Sequence, residues 1–176
     1  MTGLKTRRSE ASAVARAFVQ RFPVETVVDT IVCMDGSEVI GAYMAEELER
    51  GNFPNQNMHQ TVYVVTPEFN INNQMLFRDN LVSAIRGKNI VLLMATATTG
   101  LTMSRSLECI DYYGGNVRQI CCVFSAIDQI NGQKVESIFT TDDVPGYQAY
   151  DAFACPYCKN KQKLDAMVNG YGYSKL

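Results

Sequence analysis

The sequence predicts an α/β fold, a parallel sheet flanked by helices on both faces. Three observations lead there. The runs at 26–34, 60–66, 89–94 and 117–127 are apolar and rich in β-branched residues, as strands buried on both faces are. Segments with helical spacing at 9–22, 37–51 and 102–115 alternate with them, and strand–helix alternation is the pattern of a parallel sheet. Stop signals mark the joints: Pro23, Gly51 and the pair Gly114 and Gly115.

Each element has its own local reason. "SEASAVARAFVQRF" (9–22) is amphipathic, with Ser9 as N-cap and Pro23 beyond its end. "TVVDTIVCM" (26–34) reads as a strand, and "SEVIGAYMAEELERG" (37–51) as a helix closed by glycine. "QTVYVVT" (60–66) is a second strand, and "FNINNQM" (69–75) is polar loop. "FRDNLVSAIRG" (77–87) is a short helix or turn that feeds the strand 89–94. The loop 95–101 then delivers the chain to a helix over 102–114, and "VRQICCVFSAI" (117–127) is a buried strand. "TTDDVPGY" reads as a turn capping a helix near 144–154.

With 176 residues and neither repeat nor linker, the chain is expected to form one domain, 1–176. Hydrophobic content of 47% and charged content of 19% are ordinary for a globular protein. The formal charge is −2 and the only basic block is Arg7 and Arg8, which argues against nucleic acid as a partner. No apolar run reaches the roughly 20 residues that span a bilayer, and the first residues lack the apolar core of a signal peptide. These features point to a cytoplasmic protein without a membrane partner. Its six cysteines are then expected to be reduced.

The stretch "MATATTGLT" (94–102) follows a strand and opens a helix. Small residues there let the backbone approach an anion, consecutive N–H groups point at it, and the helix N-terminus adds partial positive charge. The backbone of Thr96, Ala97, Thr98, Thr99, Gly100, Leu101 and Thr102, with the hydroxyls of Thr98, Thr99 and Thr102, is therefore a candidate phosphate cradle. Spacing alone fits a ligand-free turn equally well.

The wider sequence resembles the type I phosphoribosyltransferases, in particular the orotate branch. "IVLLMATATTGLT" is similar to their ribose-phosphate loop, an apolar strand followed by two acids, two residues and Thr-Thr-Gly-x-Thr. "VVDTIVCMDGSEVIGAYMAEEL" resembles their early strand, pyrophosphate loop and helix, "SAIRGKNIVLL" the turn before the signature strand, and "GGNVRQICCVFSAI" the strand after the signature helix. "YQAYDAFACPYCKNKQKLD" resembles the Cys-Pro-x-Cys ending of orotate-type members. The resemblance covers roughly residues 10–165. It implies transfer of a 5-phosphoribosyl group between phosphoribosyl pyrophosphate and a nitrogenous base. By the same resemblance Thr96–Thr102 hold the 5′-phosphate, Asp35, Gly36 and Ser37 form the pyrophosphate loop, magnesium accompanies the pyrophosphate, and the chain pairs as a homodimer.

The chain departs from that pattern twice. The acid pair falls on Met94 and Ala95, neither of which offers a carboxylate. Each charge-assisted hydrogen bond lost is worth about 1.5–3 kcal/mol. The stretch 67–76, "PEFNINNQML", holds no Lys or Arg where orotate-type members carry a basic mobile loop. A non-catalytic protein that binds a nucleotide or another phosphorylated sugar is accordingly the second reading. No catalytic residue is assigned.

Other chemistry-bearing residues have structural readings. Cys155-Pro156-Tyr157-Cys158 matches a redox motif, but only 18 residues follow it, too few for a thioredoxin-like domain. As half a zinc site it would need Cys33, Cys109, Cys121 or a second subunit; as structural thiols it needs nothing. His59 is a lone histidine in polar loop, read as a surface residue. Asp142 and Asp143 are read as capping residues, Cys121 and Cys122 as buried hydrophobes, and the tyrosines of 147–153 and 170–173 as packing residues.

Overall fold

The computed structural model describes residues 1–50, 61–72, 74–150, 153–169 and 172–176. His59, Gly51 and the start of the expected strand 60–66 lie outside them. The chain runs α1 (Thr2–Thr6), α2 (Arg8–Val19), β1 (Thr30–Cys33), α3 (Glu38–Glu49), β2 (Tyr63–Val65), β3 (Glu68–Phe69), β4 (Met75–Leu76) and α4 (Asp79–Val82). It continues through β5 (Asn89–Ala97), α5 (Leu101–Tyr112), β6 (Asn116–Ser125), β7 (Gln129–Ile130), β8 (Gln133–Phe139), α6 (Pro156–Lys159), β9 (Ala166–Asn169) and β10 (Gly172–Lys175).

Six strands form the main sheet in the order β2-β1-β5-β6-β8-β7. All neighbours pair in parallel except β7 and β8, an antiparallel edge hairpin. Side chains that alternate along each strand build two cores. Ile31, Cys33, Val91, Leu93, Cys121 and Val123 face the α2–α3 side, where Ala15, Phe18, Ile40, Met44 and Leu48 cover them. Val32, Met34, Leu92, Met94, Ile120 and Cys122 face the other side, under Met103 and Ile110 of α5 and Ile85. Both faces are buried, which is why these strands are apolar throughout.

Register at the amino end of the sheet is held by Asp29. Its carboxylate accepts from the Asn89 backbone N–H (2.8 Å) and side-chain amide (3.1 Å). Asn89 in turn accepts from Arg118 Nε at 2.8 Å. One polar chain therefore aligns β1, β5 and β6. Residues 26–29 approach the sheet, but ladder pairing begins at Thr30.

Several elements differ from expectation. The helix expected at 9–22 covers Arg8–Val19 and is entered through Arg7, so Ser9 is inside it. The strand expected at 89–94 continues to Ala97, because β6 still pairs with it at Ala97–Ser125. Thr96 and Ala97 are thus strand residues, and the loop contracts to 98–100. The polar stretch 69–75 contains the turn of the β3–β4 hairpin, closed by the Asn70 side chain, whose oxygen accepts from Asn72 N and Gln74 N at 2.9 Å each. β7 and β8 were not anticipated, nor was the β9–β10 hairpin. Asn131 and Gly132 join β7 to β8 with φ of +49° and +77°, an Asn-Gly turn that signals a hairpin in sequence. The helix near 144–154 is absent over the described residues 144–150. Thr140 and Asp143 form a capping box that opens a single 3₁₀ turn, Thr141–Asp143, and Pro145 with Gly146 at φ +77° turns the chain away.

Met94 explains its own departure from an acid: it is 2% exposed and packed in the α5-side core. Ala95 is 3% exposed. A carboxylate at 94 would be desolvated among apolar groups. Met94→Asp is expected to lower unfolding free energy by more than about 2 kcal/mol, measured by urea denaturation, whereas Met94→Leu should cost less than about 1.5 kcal/mol.

Candidate functional site

The sheet order places a reversal at its centre. From β1 the chain passes through α3 to β2 on one side. It then crosses back to β5 on the other side of β1 and continues outward to β6 and β8. Ligands of open α/β sheets bind beyond the carboxyl ends of the strands where this reversal occurs. Two turns meet there, Met34–Ser37 after β1 and 98–100 after β5. Asp35, Met94, Thr96–Thr102 and Met103 line one cleft of about 180 Å³. Asp35 from one stretch singled out in sequence and Thr96–Thr102 from the other therefore line one cleft.

On the β5 side the strand ends at Ala97, and the exposed Thr98 and Thr99 precede Gly100 at φ +79°. Gly100 is the N-cap of α5, and no side chain caps that helix. The first amides of a helix have no partner within it, so this end offers N–H groups together with the exposed Thr102 hydroxyl. A left-handed residue here permits the abrupt turn from strand to helix. The reason for glycine goes further than approach to an anion. A Cβ at Gly100 would lie 2.7 Å from Ile127 Cδ1 and 2.9 Å from Ile130 Cδ1. The hairpin side of the fold closes against the loop from behind.

On the β1 side Asp35 and Gly36 both have positive φ, +56° and +72°. Lys5 of α1, 6% exposed, donates from Nζ to the Asp35 carbonyl at 2.5 Å. The Ala95 and Thr96 backbone amides hydrogen-bond the Asp35 carboxylate. Burial nevertheless raises its pKa above the usual carboxylate value; those amides and Lys5 pull the other way, and nearby Glu38 adds to the rise. The floor below is apolar, with Met94 and Met103 at its surface and Cys122 paired to Met94 in the adjoining strand. Burial pushes the Cys122 thiol up to about 12, the Asp35 charge adding to the effect.

The remaining candidates fall elsewhere. Ser37 is buried and its hydroxyl donates to the Leu93 carbonyl at 3.3 Å, so it faces the sheet and not the cleft. Cys33 and Cys121 belong to the core, where burial raises both thiols, and cannot join Cys155 and Cys158. Among the described residues no group of three or more His, Cys, Asp or Glu could hold a metal ion. Hydrogen bonds from the Cys158 and Tyr157 amides and from the Cys158 thiol lower Cys155, and Cys158 is raised by the same pairing. The Asp143 carboxylate accepts from the Thr140 backbone N–H at 2.8 Å, capping a single 3₁₀ turn and not the expected helix. Tyr147 packs edge-on to Phe124 and Tyr150 to Tyr157, whereas Tyr173 is 70% exposed. Arg78, just past the stretch without basic residues, is engaged by Glu68 at 2.9 and 2.6 Å. Sequence reasoning missed Lys5, and no local signal links it to a loop thirty residues away.

No protein-family model matches the chain, and no curated protein matches its sequence. Solved structures do match in fold. Adenine phosphoribosyltransferase from Thermoanaerobacter pseudethanolicus superposes with a TM-score of 0.57 at 14% identity, over 79% of this chain and 84% of that one. Adenine phosphoribosyltransferase from Leishmania donovani gives 0.57 at 16% identity, over 93% and 82%. Orotate phosphoribosyltransferase from Mycobacterium tuberculosis H37Rv, in complex with 5-phospho-α-D-ribosyl 1-diphosphate, gives 0.51 at 12%, over 80% and 78%. At such identities the likeness is one of fold, and the fold of this chain is that of the type I phosphoribosyltransferases.

Proposed function

We propose that this protein binds the 5-phosphate of a phosphoribosyl compound or nucleotide in the cleft between the β1 and β5 turns, with little or no orotate-type transfer. One observation carries the reading: an uncapped helix N-terminus, a left-handed Gly100 and the exposed Thr96, Thr98, Thr99 and Thr102 converge on a cleft at the sheet's switch point. The M. tuberculosis enzyme of the same fold, solved with 5-phospho-α-D-ribosyl 1-diphosphate, supports a ligand of that class. The cleft is smaller than the roughly 300–1,000 Å³ of a drug-sized pocket, which suits a sugar phosphate whose remaining groups project outward. Magnesium arriving with a diphosphate would draw its oxygen ligands chiefly from that diphosphate and water.

Transfer requires groups that bind the separating charges of the transition state more strongly than the ground state. A cradle for the remote phosphate holds both states about equally, so it contributes affinity without rate. With Met94 packed in the core and Arg78 held by Glu68, the two charges expected at either end of the substrate come from neither 94–95 nor 67–76. The reading includes a homodimer. It rests on the resemblance to the phosphoribosyltransferases, and the exposed Phe69 and Tyr112 are apolar surface open to a second copy.

Three outcomes are expected. Calorimetry should detect binding of inorganic phosphate, and Thr98→Val with Thr99→Val should weaken it about tenfold through lost hydroxyl donors; equal affinity in the double variant would remove the cradle. Incubation with orotate and phosphoribosyl pyrophosphate should release pyrophosphate no faster than a blank, and robust conversion would overturn the non-catalytic part. Sedimentation at micromolar concentration should show a dimer; monomer alone would refute the pairing.

A further inference from the structure

We infer that Asp35 is the residue that reads the sugar of the bound ligand, its carboxylate accepting hydrogen bonds from the sugar hydroxyls while the phosphate lies at Thr98–Thr102. This rests on the cleft being a phosphate site, and it assigns to the β1 turn a recognition role beyond holding pyrophosphate.

The cleft has two poles. The α5 N-terminus and the threonines favour an anion, and Asp35 is the one carboxylate among the residues that line it. A phosphate is repelled from Asp35 and drawn to the opposite end, so the neutral, hydroxyl-bearing part of a sugar phosphate is left facing the acid. An ionised carboxylate has about four lone-pair positions. The Ala95 and Thr96 amides engage part of that capacity, leaving acceptors for a ligand.

The acid is held in place before any ligand arrives. Asp35 and Gly36 both adopt the left-handed region, which Asp tolerates better than most residues but at some cost. Lys5 fixes the turn through the Asp35 carbonyl, and a Cβ added at Gly36 would stand 3.7 Å from Lys5 Nζ. The carboxylate is thus preorganised against the end of β5, beside the positions 94 and 95 where the chain has no acid of its own. Burial works against its charge, as does Glu38 from α3, while the Ala95 and Thr96 amides and Lys5 from α1 favour it. A half-buried carboxylate that lines a cleft, its charge disfavoured by burial, is expected of a binding residue more than of a structural one.

The test compares ribose 5-phosphate with inorganic phosphate by calorimetry, in the wild type and in Asp35→Asn, without divalent metal. Asn keeps the shape and tolerates the left-handed turn. The wild type should prefer ribose 5-phosphate, and Asp35→Asn should lose that preference by roughly ten- to hundredfold while keeping phosphate affinity. Because burial raises the Asp35 pKa in the folded state, the variant should unfold at the same or higher urea concentration at pH 7, with any gain shrinking as pH falls through the carboxylate range. Undiminished preference in the variant overturns the inference while leaving the cradle intact. A preference that appears only with added magnesium also overturns it, since Asp35 would then be holding a cation. Absence of phosphate binding by the wild type removes both the cradle and this role.

Discussion

Parallel pairing of β1 with β5 is the constraint on which the rest depends. These two strands are neighbours at the centre of the sheet, in register from Thr30–Ile90 to Cys33–Leu93, yet the chain leaves them in opposite directions. Helices that follow them therefore cover opposite faces, α3 on one and α5 on the other. The turns that precede those helices are left facing each other over a gap that neither helix fills. Without that pairing, Asp35 and Thr98 would be distant residues on unrelated loops. The Asp29–Asn89–Arg118 chain fixes the register from the far end of the sheet. It acts on the site without touching it.

The cleft then acquires its character from what each turn exposes. β5 contributes backbone donors and threonine hydroxyls, and β1 contributes a carboxylate with a lysine behind it. Met94 shows how packing and chemistry compete for one position. Its side chain belongs to the same core as Met103, Ile110 and Cys122, so the end of β5 is sealed by hydrocarbon where a polar grip on a sugar would need an acid. The carboxylate in the cleft comes from the turn after the neighbouring strand instead. Gly100 is another position with two duties. Its left-handed turn starts α5, and its missing side chain makes room for Ile127 and Ile130, coupling the loop to the β7–β8 edge.

Local pattern was enough for much of this. Apolar runs buried on both faces announced the central strands, and Thr-Thr-Gly before a helical stretch announced the turn after β5. Boundaries were less legible, because where a strand stops depends on its partners: β5 runs on to Ala97 only since β6 pairs with it there. The β7–β8 hairpin carried a readable Asn-Gly turn in flanks too polar for a core strand. The helix expected near 144 failed because a capping box states where a helix can start, and Pro145 and Gly146 decided that it would not continue.

By itself the sequence determined the fold class, the order of the central elements and the composition of both turns, since hydrophobic burial and turn chemistry act over a few residues. Tertiary structure alone decided which side chains share the cleft. It turned Ser37 inward to the Leu93 carbonyl and sank Met94 into the core. It brought Lys5 to the β1 turn and set the Asp35 carboxylate against the amides of Ala95 and Thr96. The physical reason is that direction and burial are properties of pairing between distant strands, and no window of neighbouring residues contains them.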